Sequence, residues 1–109
     1  MNHSEILKKR WGKFSVPEQM ANIGSEVGRA AKWQGKDEQN FWSAVERALE
    51  LFDFTLSNSK LGSRLHEIGL AKEVFCDTIL GGREYNDSLS ALEEYFMGFA
   101  YLVQNKVRS

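Results

Sequence analysis

The chain has 109 residues with a formal net charge of -1, 42% apolar and 27% charged residues. These figures fit an ordinary globular chain and exclude a disordered or fibrous class, and a charge so near zero argues against wrapping nucleic acid by bulk electrostatics. Cys76 is the only cysteine, so no internal disulfide can form; no long apolar run follows Met1-Asn2-His3-Ser4, and the expectation is a cytoplasmic protein without secretory or membrane-spanning segments.

In chain order, Leu7, Trp11 and Phe14 fit a short amphipathic helix at i, i+4 and i+7. Ser15-Val16-Pro17-Glu18 then reads as a capping box with proline at a tolerated first position, opening a helix over 17–34. Val16, Met20, Ile23, Val27, Ala30 and Ala31 share one of its faces, and Gly35 ends it. Asp37 is placed to cap a helix over 38–56, with Phe41, Ala44, Val45, Ala48, Leu49, Phe52 and Thr55 inward. After the Ser57-Asn58-Ser59 turn, a pattern over 60–80 carries Leu61, Leu65, Ile68, Ala71, Phe75 and Ile79 and stops at Gly81-Gly82. Asn86-Asp87-Ser88 offers a further cap for a helix over 89–104 with Leu89, Leu92, Phe96, Phe99, Ala100 and Val103 inward. No strand-period run of useful length competes. The fold class is therefore all-α: an up-and-down bundle of four main helices plus a short N-terminal helix, in a single domain. Residues 1–15 form the N-terminal helix and arm, 16–105 the four-helix core, and 106–109 a polar tail.

Several apolar residues fall outside these inward faces. Phe54 projects away from Phe41, Ala48 and Phe52, close to Leu51; Leu70 and Val74 lie beside or opposite the core face of their helix; Tyr95 and Leu102 widen that of the last. Such a second stripe on a small protein marks an interface, and two-fold self-association is its commonest use, so a homodimer is expected, with a protein partner as the variant of the same idea. The competing expectation is that the N-terminal helix, through Trp11 and Phe14, covers these residues. Gly24 and Gly28 form a small-x-x-x-small pair that admits a neighbouring helix closely, and Gly69 raises the same question.

Two site chemistries compete with a plain solvated surface. Glu46, Glu50 and Asp53, with Glu73 and Asp77 on the next helix, have the spacing by which bundle carboxylates hold magnesium, which would suit a phosphohydrolase or nucleotide-binding protein. The first three project opposite the core face, where repeated charge serves solvation. Lys8, Lys9, Arg10, Trp11 and Lys13 interleave base and aromatic, as in phosphate-binding, base-stacking segments; burial of Trp11 is the stronger expectation. His66 and Cys76, ten residues apart on one helix, are separated by about 15 Å and cannot form a catalytic pair within it. No phosphate loop, nucleophile motif or dinucleotide fingerprint occurs, so no cofactor is assigned.

The segments Ala21-Asn22-Ile23-Gly24-Ser25-Glu26-Val27, Glu46-Arg47-Ala48-Leu49-Glu50-Leu51-Phe52-Asp53 and Arg83-Glu84-Tyr85 resemble a family of small uncharacterised prokaryotic proteins over about residues 18–104. That resemblance implies one helical domain and supplies no activity. The architecture is also similar to HEPN domains, whose ribonuclease signature places Arg four to six residues before His. Here the positions before His66 are Lys60, Leu61 and Gly62, so that activity is not implied. The sequence is thus read as a non-enzymatic helical bundle that self-associates or binds a partner.

Overall fold

The computed structural model describes residues 3–57, 62–81 and 89–108, with side chains over 5–57, 62–81 and 89–101. Among the described residues the chain forms α1 (His3–Trp11), α2 (Val16–Trp33), α3 (Glu38–Leu56), α4 (Arg64–Ile79) and α5 (Leu89–Arg108), with no strand. The expected all-α bundle is therefore present.

Local chemistry sets the helix ends. At the start of α2 the Glu18 amide donates to Ser15 Oγ at 3.2 Å while the Ser15 amide donates to Glu18 Oε1 at 3.0 Å, a reciprocal capping box. Asp37 caps α3 by accepting from the Asn40 amide at 3.0 Å. Gly35 and Gly81 follow α2 and α4 at φ +76° and +77°, the left-handed geometry that glycine enters without steric cost. The helix expected over 60–80 is shorter, Arg64–Ile79, and Gly62 precedes it at φ +54°. Leu65, expected inward, is 50% exposed because it occupies the first turn of α4, which touches its neighbours more sparsely than the other bundle helices do. Leu61 and the Asn86-Asp87-Ser88 cap lie outside the described residues.

The helices close a ring in which α2 packs against α3 and α5, and α4 bridges α3 to α5. One buried cluster draws on all five: Trp11 from α1, Ile23 and Val27 from α2, Phe52 from α3, Phe75 from α4 and Phe96 from α5 are members. Phe52 sits at its middle, with ring centroids 5.8 Å from both Phe75 and Phe96. The Gly24 and Gly28 pair does admit a helix: a Cβ on Gly24 would run into Cβ of Phe96, and one on Gly28 into the Glu93 carboxylate. Around Gly69 there is open space, so the close-approach argument does not extend to it.

The N-terminal helix is pinned at one residue. The Trp11 indole Nε1 donates to Thr55 Oγ1 at 2.8 Å, and Gln19 Nε2 donates to the Trp11 and Phe14 carbonyls at 3.1 Å each. Trp11 is buried, which removes it from the stacking role considered for residues 8–13; Lys8, Lys9, Arg10 and Lys13 remain exposed.

Candidate docking groove

On α4 the buried face is Ile68, Ala71 and Phe75. Glu67, Leu70 and Val74, at i, i+3 and i+7, form a second stripe along the flank that meets α5. Ala91 and Tyr95 answer it from α5, beside the buried Leu92 and Phe96. Because Ala71 and Ala91 are small, the two helices leave a furrow between them of about 250 Å³, walled by Leu70, Val74 and the Tyr95 ring and floored by Ala71 and Leu92. Leu70 and Tyr95 are 44% and 38% exposed, so this apolar surface is open to solvent.

One end of the furrow is fixed by polar contacts. The Tyr95 hydroxyl donates to Glu67 Oε1 at 2.5 Å, and its ring packs edge-on against Phe96 and Phe99 at 5.1 and 5.6 Å. Partial burial, reinforced by the hydrogen bond and negative charge of Glu67 and opposed by Arg64, holds the Tyr95 phenol well above its ordinary pKa of 10.0. The phenol therefore stays protonated, and a hydrogen-bond donor, into the alkaline range. The Arg64 guanidinium lies over the Phe99 ring, 5.6 Å from its centroid. The other side of α4 is bridged differently: Lys72 Nζ reaches Asp53 Oδ1 on α3 at 2.6 Å.

Of the six apolar residues expected to share one interface, the five with described side chains divide between two places. Leu70, Val74 and Tyr95 come together in the furrow. Leu51 and Phe54 are half-buried and pack against the core. On the projection of α3 they point away from Asp53, the residue that faces α4, and Phe54 adjoins Thr55, where Trp11 docks. The side chain of Leu102 lies outside the described residues.

The carboxylates are dispersed. Asp53 is engaged by Lys72, and Glu46 and Glu50 flank a shallow hollow beneath Leu7 of α1. No three His, Cys, Asp or Glu side chains among the described residues are grouped so as to hold a metal ion, and this covers Glu46, Glu50, Asp53, Glu73 and Asp77. A wider depression of about 490 Å³ surrounds the α2–α3 turn, lined by Lys36, Asp37, Trp42 and Ile79, where Asp37 is already committed to capping α3. No helix of the described residues is long and apolar enough to cross a membrane.

Glu67 is not among the site residues that the sequence patterns mark. Its helical phase relative to Leu70 and Val74 is a usable signal, since i, i+3 and i+7 share a face. Its hydroxyl partner across the bundle is not readable in this way, because the register between α4 and α5 depends on packing. Neither a known protein family, nor a curated protein, nor a solved structure matches the chain.

Proposed function

We propose that the protein is a docking module whose α4–α5 furrow receives the apolar ridge of an amphipathic helix from another protein. The observation that carries this reading is the convergence of Leu70, Val74 and Tyr95, all solvent-accessible, on one furrow between antiparallel helices. Two walls rising from a buried floor of Ala71 and Leu92 suit the helix-in-groove mode, in which side chains at i, i+3 and i+4 seat in the trough. At about 250 Å³ the furrow is below the roughly 300–1,000 Å³ typical of pockets that enclose a small-molecule ligand. It suits a few inserted side chains better than an enclosed substrate.

A second copy of the chain is the weaker occupant. Placing furrow against furrow would bring the acidic set Glu67, Glu73, Asp77 and Glu94 of one copy near the same set of the other, and like charges brought together at an interface are destabilising. The exposed basic residues of α1 belong to a helix seated on α3, away from the furrow, so using them would give a head-to-tail contact that need not close.

The test combines light scattering with methyl NMR of the full chain titrated with a synthetic leucine-faced amphipathic helix. The expected result is a monomer in which the Leu70, Val74 and Ala91 methyls shift on titration, with the shifts abolished by Leu70→Asp. A dimer dissociated by Leu70→Asp would reassign the face to self-association. Absence of shifts at these methyls would end the docking reading.

A further inference from the structure

The margins of the furrow carry more information than its floor. Glu67 lines one end of the furrow, and on the helical projection Asp77 falls beside Leu70 on α4 while Glu73 and Glu94 fall on the exposed sides of α4 and α5. Among the described residues the cations of α4 are Lys72, bound to Asp53 on α3, Arg64, which lies over Phe99 and whose charge also reaches the Tyr95 hydroxyl, and the exposed His66. An apolar trough between acidic edges is complementary to a helix with an apolar ridge between basic edges.

The Glu67 carboxylate is held in place. The Tyr95 hydroxyl occupies Oε1, which fixes the direction of the carboxylate at the furrow mouth, while the residue stays exposed. A carboxylate already oriented by a neighbour forfeits less side-chain freedom when it takes a cation. Resting on the docking reading above, we infer that the partner helix is flanked by lysine or arginine, and that Glu67, positioned by Tyr95, receives one of these cations. Tyr95 then has two parts to play: its ring walls the apolar trough, and its hydroxyl aims the anchor.

The experiment uses the full chain and two synthetic helices with one identical leucine face, flanked in one case by lysine and in the other by glutamate. At low salt the lysine-flanked helix is expected to bind about tenfold more tightly, an advantage that shrinks as salt screens the charges. Glu67→Gln is expected to reduce that preference to about threefold, because one of several acidic groups is removed. Tyr95→Phe keeps the ring and is expected to lower the preference for lysine without abolishing the methyl shifts of Leu70 and Val74. Equal binding of both helices in the furrow would overturn the charge assignment and leave the docking reading intact. An unchanged preference in Glu67→Gln would remove Glu67 as the anchor. Failure of both helices to bind would overturn the inference together with the reading beneath it.

Discussion

Gly24 on α2 lies directly beneath Phe96 on α5, with Phe96 Cγ 3.4 Å and its carbonyl carbon 3.6 Å from where a Cβ on Gly24 would stand. A methyl group there would meet the root of a fully buried ring and, behind it, backbone. Neither can swing aside, so α5 would have to move off α2 as a body. Gly24→Ala is therefore expected to destabilise the protein by about 1–3 kcal/mol, the usual cost of overpacking, despite the better helix propensity of alanine. Gly69→Ala meets open space and is expected to stabilise by about 0.5–1 kcal/mol. Urea midpoints of the two variants measure both; a neutral Gly24→Ala would mean that α5 is not seated at this distance.

Gly28 separates contact with a flexible tip from contact with a root. The atom that a Cβ would strike is the end of the Glu93 side chain, which can rotate away. Gly28→Ala is accordingly expected to fall within about 1 kcal/mol of wild type, propensity gain offsetting the displaced carboxylate. A loss as large as that of Gly24→Ala would show that Glu93 is held in place.

Most of the fold is legible in the sequence because helix ends and inward faces are local matters. Ser15 with Glu18, Asp37 and Gly35 announce their turns through the chemistry of a few neighbouring residues, and the spacing of Ile23, Val27, Phe52 and Phe75 fixes which side is buried. The candidate site is only half legible. Leu70, Val74 and Tyr95 stand out as apolar residues off the main faces, but so do Leu51 and Phe54, which lie on a different flank. Helical projection gives an angle about one axis and says nothing of which neighbour stands at that angle. Phe54 precedes Thr55, which accepts from Trp11, whereas Leu70 borders the α4–α5 furrow, and the seating of one helix on another is not written in either helix's own projection.

The seat of α1 depends on one long-range hydrogen bond between a buried indole and a buried hydroxyl. Thr55→Val preserves shape and leaves Trp11 Nε1 without its acceptor, at an expected cost of about 1–3 kcal/mol. Trp11→Phe removes the donor and part of the ring, adding a packing loss. In a double-mutant cycle the two changes are expected to be less than additive, since the bond is lost only once. Additivity within error would show that the indole nitrogen is solvated instead.

Tyr95 makes a prediction at alkaline pH. Its folded-state pKa is raised, so the folded protein keeps the proton after the unfolded chain has lost it near 10. The resulting stabilisation is present below the unfolded pKa and declines as pH rises from about 10 toward the folded value. Tyr95→Phe is expected to lessen this alkaline loss of stability relative to wild type. Urea midpoints across the alkaline range, with the tyrosinate absorbance followed in parallel, would show it; identical slopes for the two proteins would mean that Tyr95 titrates as a free phenol.

The acidic stripe on α3 behaves as a set of separate surface charges. Asp53 pairs with Lys72, but its side chain is 63% exposed. An ion pair of that exposure contributes about 0–1 kcal/mol, and Lys72→Met is expected to change stability by less than about 1 kcal/mol. The same substitution tests the carboxylates for metal binding, because it frees Asp53 on the side facing α4. A site preferring the folded state would raise the melting temperature as magnesium increases, by the mass-action relation between ligand concentration and stability. With no three of these groups brought together among the described residues, the expected result is no magnesium-dependent shift in either wild type or Lys72→Met. A shift that grew in Lys72→Met would show that Asp53 and its neighbours can converge once the lysine is gone, reinstating the metal-binding reading of this face.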